Sequence, residues 1–196
     1  MRPTIVACLC LAISACGIGP VPTGAITPSS VQGSASATRI SPPPVTPPTA
    51  PGDSLPAFAC ADAKGGSTGV AGATAARMAE QPGYDRFVLQ FDRLVPTFTV
   101  KRQGNTVFSL GSSGQSISLS GTAGVLVQVH SASASGTFTG PTDIVHTEYQ
   151  VLREARQTED FEGYLSWGLG LTRAACFRTF TLDDPPRLVV DFDTSV

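Results

Sequence analysis

The sequence has few of the residues from which enzymes and nucleic-acid-binding proteins build their sites. Only two histidines occur in 196 residues, and the four charged residue types together make up 14%. The formal net charge is −2 and no run of Lys and Arg occurs, which excludes the basic stripe that a nucleic-acid partner requires. No G-x-S-x-G nucleophile motif and no HxH or HExxH metal spacing is present. We therefore expect a protein that is not an enzyme and that holds no metal or cofactor.

The sequence also lacks a long apolar run. Residues 5–15 of MRPTIVACLCLAISAC are apolar and follow Arg2, but a bilayer span needs about 20 such residues. The run is typical of the h-region of a secretory signal. It ends in Ile13-Ser14-Ala15-Cys16, which resembles the bacterial lipobox, although an ordinary signal cut near Ala15 is the alternative. We predict a lipoprotein signal peptide over residues 1–15 and a lipid, such as palmitate, on Cys16 that anchors an extracytoplasmic protein to the bacterial cell membrane.

Cysteine is scarce, and its positions agree with export. Of five cysteines, Cys8 and Cys10 would leave with the signal and Cys16 would carry lipid. Cys60 and Cys176 remain, and two leftover cysteines in an oxidising compartment usually pair. Their disulfide would close a loop of more than 100 residues, which stabilises a fold by roughly 4–5 kcal/mol in the chain-entropy account. A reactive or metal-binding pair is the alternative, but it lacks a CxxC spacing and nearby histidines.

Residues 16–54 lack aromatic side chains and hold two charges, Arg39 and Asp53. The segment is rich in Pro, Ser, Thr, Gly and Ala, most densely in SPPPVTPPTAPG. Such a composition cannot bury a core, so we predict a disordered linker with polyproline II character. At about 3 Å per residue, it could reach on the order of 100 Å from the anchor.

Residues 55–196 show the alternation of a β domain. RFVLQFD, GVLVQVH and EGYLSWGLGL each place apolar side chains at every second position, and turn residues recur about every ten positions. This spacing predicts one all-β domain of the sandwich or barrel type. AGATAARMAE contains good helix formers but has a poor apolar face, so a helix and a strand both remain open for it.

Three segments resemble a known family: GYDRFVLQFD at 83–92, EGYLSWGLGL at 162–171 and FRTFTLDDPPRLVVDF at 177–192. They are similar to the AMIN-like domain of bacterial envelope lipoproteins, in which a signal, a lipobox and a low-complexity linker precede one β domain. The last segment also resembles the AMIN module of cell-wall amidases and secretins. The resemblance implies a small β-sandwich that localises a protein in the envelope, with peptidoglycan as the proposed target.

Candidate surface residues for a glycan are the three tyrosines. Flat rings bind the C–H faces of sugars, and Tyr84, Tyr149 and Tyr164 border turns or alternate with the apolar face of a strand. Trp167 falls in phase with three leucines, so we expect it in the core.

The remaining polar residues that could bind a metal or take part in catalysis have simpler interpretations. His130 and His146 flank strands and are expected at the surface. Glu159, Asp160 and Glu162 are expected in an acidic turn; the alternative is an acid and base pair for glycoside hydrolysis.

The stretch TFTLDDPPRLVVDF predicts two strands joined by a turn at Asp183-Asp184-Pro185-Pro186. Arg187 begins the second strand and could form an ion pair with Asp85, Asp184 or Asp191; the alternative is that it contacts a ligand.

The expected function is non-catalytic binding of a cell-wall polymer, either peptidoglycan or another glycan. The alternative is a structural or assembly scaffold that docks another envelope protein.

Overall fold

The computed structural model describes residues 55–195, so the predicted signal peptide, Cys16 and the linker lie outside the described residues. Within this part, thirteen strands follow one another, with a short 3-10 turn at Gly111–Ser113. No helix in residues 55–195 has the length and apolar character to cross a membrane. The strand bounds are β1 Ala63–Gly65, β2 Ala71–Gln81, β3 Tyr84–Phe91, β4 Phe98–Gln103, β5 Val107–Ser109, β6 Ser116–Ser118, β7 Ala123–His130, β8 Ala132–Ser133, β9 Asp143–Val145, β10 Leu152–Phe161, β11 Tyr164–Leu171, β12 Phe177–Asp183 and β13 Pro186–Asp193.

The strands form two main sheets and a small hairpin. One sheet has the order β1-β4-β7-β11-β10-β9, and the other has the order β12-β13-β3-β2-β8. Pairing is antiparallel except between β2 and β8. β5 and β6 pair only with each other. The prediction of an all-β sandwich is confirmed.

The core lies between the sheets and contains the period-two residues of the sequence. Leu165, Trp167, Leu169 and Leu171 of β11 are at most 1% exposed. The Trp167 ring lies 5.6 Å from the ring of Phe87 on β3, centroid to centroid. Burying side chains of this size contributes about 1.5–3 kcal/mol each to folding. The prediction that Trp167 belongs to the core is confirmed.

The ambiguous segment AGATAARMAE is strand β2. It pairs with β3 from Ala73 to Gln81, with an irregularity in register between Ala73 and Ala75. Its alanines at 71, 73 and 76 are buried in the core. Helix propensity differs among residues by only tenths of a kcal/mol, so cross-strand pairing and burial decide the outcome.

Glycines on the second face of β7 and β11 accept the β5–β6 hairpin. A Cβ atom at Gly168 would lie 2.9 Å from the ring of Phe108, and one at Gly124 would lie 2.8 Å from the same ring. At Gly170 it would overlap the carbonyl oxygen of Ser120. Phe108 and Leu119 are buried by this docking. The six-stranded sheet is therefore covered on both faces where its second face carries glycine.

The stretch TFTLDDPPRLVVDF forms the β12–β13 hairpin. Phe177 pairs with Phe192 and Asp183 pairs with Pro186, which leaves Asp184 and Pro185 as the turn. The predicted arrangement of two strands and a turn is confirmed. β13 is buried on both faces, because Val189 and Asp191 on its outer side are almost inaccessible to solvent.

The segment before β1 is fastened to the edge of the five-stranded sheet. Ala59 and Phe177 exchange backbone hydrogen bonds of 2.9 and 3.0 Å. The next residue, Cys60, forms a disulfide with Cys176, which confirms the predicted pairing. We call residues 55–60 the entry arm.

Candidate functional site

One end of the six-stranded sheet carries a row of aromatic rings on the face away from the core. Phe161 of β10 lies opposite Tyr164 of β11, which lies opposite His130 of β7. Residues directly opposite one another in a sheet project from the same face. Phe161 is 54% exposed and Tyr164 is 44% exposed. The ring of His130 meets that of Tyr164 edge-on at 4.9 Å. We call these three residues the aromatic row.

A tight turn brings the two exposed rings together. Glu162 and Gly163 join β10 to β11, with φ values of 49° and 79°. Two consecutive positive φ values are typical of a two-residue hairpin turn that matches the twist of the strands. The turn fixes Phe161 and Tyr164 as a cross-strand pair.

The neighbouring row of the same face is polar. Glu159, Ser166 and Gln128 lie opposite one another, about 7 Å along the strands from the aromatic row. The Ser166 hydroxyl donates a hydrogen bond of 3.2 Å to Glu159 Oε2. Because serine is small, this row forms a low floor rather than a ridge. The floor belongs to a groove of about 270 Å³, which is also lined by Gln103, Leu126 and Thr158.

The β5–β6 hairpin supplies one wall of the groove. Val107 and Ser109 of β5 line it, and Val107 is 50% exposed. At the 3-10 turn, a Cβ on Gly111 would lie 3.8 Å from Glu159 Cγ, so the hairpin tip reaches the floor. The β5–β6 hairpin, which packs against the glycines of β7 and β11, therefore shapes the groove.

Few charges remain free around this groove. Glu159 is the one carboxylate among the described residues that line it. Arg156, on the same face, pairs with Asp143 at 3.1 Å. Glu154 accepts hydrogen bonds from the backbone and hydroxyl of Ser120 at 2.8 and 2.7 Å. Lys101, opposite Leu126, is exposed beside the groove. Amides, hydroxyls, one acid and one base beside aromatic rings suit a polar ligand with little net charge.

The four predicted surface residues do not converge. Tyr164 lies in the aromatic row, two residues along β11 from Ser166, which lines the groove. Tyr149 lies in the connection between β9 and β10, where its ring stacks on His146 at 4.4 Å. Tyr84 lies opposite Asp193, whereas Arg187 lies opposite Gln90 on the same strand pair. Six residues of strand separate these two positions, about 20 Å.

Tyr84 belongs to an arginine cluster on the outer face of the five-stranded sheet. Asp191 is fully buried and binds Arg86 Nε at 2.6 Å and Arg178 Nε at 2.9 Å. The hydrogen bonds to Asp191 raise the pKa of Arg86. The guanidinium of Arg178 lies 4.4 Å from the ring of Phe58 and 4.8 Å from that of Tyr84. The cluster thus fastens the entry arm to the sheet.

Arg187 has different partners from the carboxylates considered for it. Its Nε and Nη2 donate to the backbone carbonyls of Pro185 and Asp184 at 3.0 and 3.2 Å. Asp191 is occupied by the two other arginines. Asp85 is buried and accepts two backbone N–H groups, those of residues 151 and 152. Arg187 therefore stabilises the turn before its own strand.

The acidic cluster is not the turn that the sequence predicted. Glu159 and Asp160 lie within β10, and only Glu162 lies in the turn. Adjacent strand residues point to opposite faces. Glu159 faces the groove, while Asp160 accepts a hydrogen bond of 3.0 Å from the Ala134 backbone. The two carboxylates are therefore held apart.

Sequence reasoning missed Phe161 and Gln128, and it assigned no ligand role to His130. The sequence did contain a signal for Phe161. The residues of FEGY that flank Glu162-Gly163 become cross-strand partners if that pair forms a two-residue hairpin turn. For Gln128 and His130, no local pattern indicates which strand lies beside β11.

A comparison with known protein families finds a match for most of the folded domain. The sequence profile of the AMIN-like domain matches residues 71–194, which is more than half of the chain. The match contains both β11, which carries Tyr164, and the β12–β13 hairpin. No curated protein and no solved structure matches the chain. The chain therefore belongs to the AMIN-like domain family, which is associated with envelope and peptidoglycan-binding domains.

Proposed function

We propose that this protein binds a cell-wall glycan, peptidoglycan or another polymer, in the groove beside the aromatic row, without catalysing a reaction. The observation that carries the proposal is the exposed pair Phe161 and Tyr164 next to a polar groove. Exposed rings that are rimmed by polar groups mark binding surfaces. A ring can stack on a sugar face while amides, hydroxyls and a carboxylate bind its hydroxyl groups.

The positions of the carboxylates favour binding over hydrolysis. Glycosidases use two carboxyl groups that face each other across the scissile bond, about 5–9.5 Å apart. Glu159 faces this groove, but its neighbour Asp160 is turned to the other face and bonded to Ala134. A lone carboxylate held by Ser166 is suited to accepting hydrogen bonds from a ligand.

We further propose that the domain is held at the outer side of the bacterial cell membrane by lipid on Cys16. The lipobox-like sequence before Cys16 supports this anchor, and the disulfide supports an oxidising compartment. Replacement of Cys16 by serine is expected to abolish labelling with a fatty-acid analogue and to release the protein from membranes. Persistent labelling of the Cys16→Ser variant would contradict the assignment of Cys16 as the lipidation site.

Sedimentation with purified, protein-free cell walls tests the glycan proposal. The chain from residue 16 with Cys16→Ser is mixed with the wall fraction, and the bound share is measured against protein concentration. Tyr164→Ala and Phe161→Ala are each expected to weaken binding about tenfold, because central aromatic contacts often contribute more than 1 kcal/mol. Tyr149→Ala is the matched control, since this ring stacks on His146 away from the groove.

Thermal unfolding of each variant separates lost binding from lost fold. Both exposed rings should be removable with little change in melting temperature. Wild-type retention no higher than that of an unrelated lipoprotein domain would contradict glycan binding. Equal loss in Tyr149→Ala would place the binding surface elsewhere.

The second candidate function is docking of another envelope protein by the same surface. Exposed aromatic side chains are also enriched at protein interfaces, which is the observation in its favour. A photo-crosslinker at position 164 in cells distinguishes the two. One repeated protein partner would support docking, whereas capture of wall material alone would support the glycan.

A further inference from the structure

The outer face of the five-stranded sheet carries four arginines. Arg178 of β12 and Arg86 of β3 flank Asp191 of β13 in one cross-strand row. Arg187 of β13 lies opposite Gln90, and Arg77 of β2 lies opposite Val88, so both project from the same face. The three strand spacings from β12 to β2 and the register place all four arginines within roughly 15 Å in each direction.

This face is positively charged although the chain as a whole carries −2. Along these strands the acids that share it are Asp191, which is bound by two arginines, and Asp193. Asp193 accepts hydrogen bonds from the backbone and hydroxyl of Ser195, which lower its pKa. Four guanidinium groups against two carboxylates leave an excess of two positive charges.

Two of the four arginines keep hydrogen-bond donors for a ligand. Arg86 and Arg178 are bound to Asp191, and the side chain of Arg178 is only 11% exposed between the rings of Phe58 and Tyr84. Arg187 uses Nε and Nη2 on its turn and leaves Nη1. Arg77 is exposed and donates to Gln90 from Nη1 alone. Guanidinium groups with free N–H pairs bind phosphate and carboxylate oxygens in two-point contacts.

We infer that this face, the arginine face, binds an anionic polymer that carries phosphate groups along its chain. Arg77 and Arg187, spaced across this face, complement a repeating anion better than a single small molecule. A bilayer surface is less well matched, because membrane-binding faces add apolar side chains that insert between lipids. Among residues 55–195, the large exposed apolar side chains lie outside the strands of this sheet.

The test uses linear inorganic polyphosphate as the soluble probe and phosphatidylglycerol vesicles as the alternative. The chain from residue 16 with Cys16→Ser is titrated with each at several salt concentrations. Polyphosphate is expected to bind, with affinity falling as salt rises because counterions are released. Arg77→Gln should weaken binding several-fold and reduce the salt slope by about one. Lys101→Gln, the same loss of charge on the opposite sheet, should leave both unchanged.

The outcomes separate this inference from the proposed glycan site. Tyr164→Ala should lose cell-wall binding but keep polyphosphate binding. Arg77→Gln should weaken polyphosphate binding but keep the binding of neutral glycan. Absence of polyphosphate binding, or equal effects of Arg77→Gln and Lys101→Gln, would overturn the inference. Binding to vesicles without binding to polyphosphate would also overturn it, in favour of a membrane surface.

Discussion

At the scale of single residues, two buried aspartates hold distant parts of the chain together. Asp85 accepts backbone hydrogen bonds of 2.6 and 2.9 Å from Val151 and Leu152, and so joins β3 to the start of β10. Asp191 instead receives two guanidinium groups. Both carboxylates are fully buried. A buried charge is tolerated only when it is paired or hydrogen-bonded, and each aspartate has such partners.

Removal of the charge at Asp191 is expected to destabilise the fold. Asp191→Asn keeps the shape but leaves Arg86 and Arg178 without their counter-ion. Loss of one partner from a fully buried pair costs about 3–5 kcal/mol, and the partial exposure of these arginines reduces our expectation to about 2–3 kcal/mol. Urea unfolding measures the change. Asp62→Asn is the control: it removes a surface partner of Arg102 and should cost less than about 1 kcal/mol. Equal losses of stability in both variants would contradict the role of Asp191.

The arginines show what the sequence could predict at this scale. The turn chemistry of Asp184 and Pro185 is local, and that prediction was correct. The partner of a charge is not local, because Arg86 and Asp191 are 105 positions apart and meet only through the β3–β13 register. Arg187 accordingly had several plausible carboxylates in the sequence, yet it binds backbone carbonyls.

At the scale of elements, strand β11 encodes both the core and the groove. Its inward positions are Leu, Trp, Leu and Leu, and this period could be predicted from the sequence. Its outward positions change from Tyr164 to Ser166 and then to Gly168 and Gly170. The glycine half is covered by the β5–β6 hairpin, and the tyrosine half is open. The cover could not be predicted, since a glycine in a strand indicates a close approach but not which segment approaches.

A side chain at Gly168 is expected to displace the hairpin. In Gly168→Ala the new Cβ would overlap Phe108 and Leu119, and overpacking of this kind costs about 1–3 kcal/mol. Because Val107 and Ser109 line the groove, cell-wall binding should weaken as well. Gly104→Ala is the matched control, since a Cβ there meets no atom within 4 Å. Thermal unfolding and wall sedimentation measure both effects.

A double variant checks the cause of that loss. Phe108→Ala removes the overlapping ring, so adding Gly168→Ala to it should cost less than adding Gly168→Ala to the native protein. Such non-additivity is expected of residues in direct contact. Strictly additive losses would show that Gly168 acts through something other than the hairpin.

At the scale of the whole domain, the entry arm and the aromatic row lie at opposite ends. Tyr164 begins β11, and the eight residues of that strand extend about 25 Å toward the end where Leu171 pairs with Leu152. Leu152 is hydrogen-bonded to Asp85 at the start of β3, and Phe192 pairs with both Asp85 and Phe177. The arm is joined to Phe177. The aromatic row therefore lies at the end of the domain opposite the entry arm.

The disulfide between Cys60 and Cys176 closes this end, and its loss should lower stability without changing the groove. The bridge spans 116 positions, for which loop-closure entropy corresponds to about 4–5 kcal/mol. The double replacement Cys60→Ala and Cys176→Ala is expected to lower the free energy of unfolding by up to that amount. Wall sedimentation well below the new melting temperature should be unchanged, because Tyr164 lies at the far end. If the variant is as stable as the native protein, the backbone hydrogen bonds at Ala59 and the contact of Phe58 suffice to hold the arm in place. Lost binding in a variant that is still folded would show that the arm and the groove are coupled.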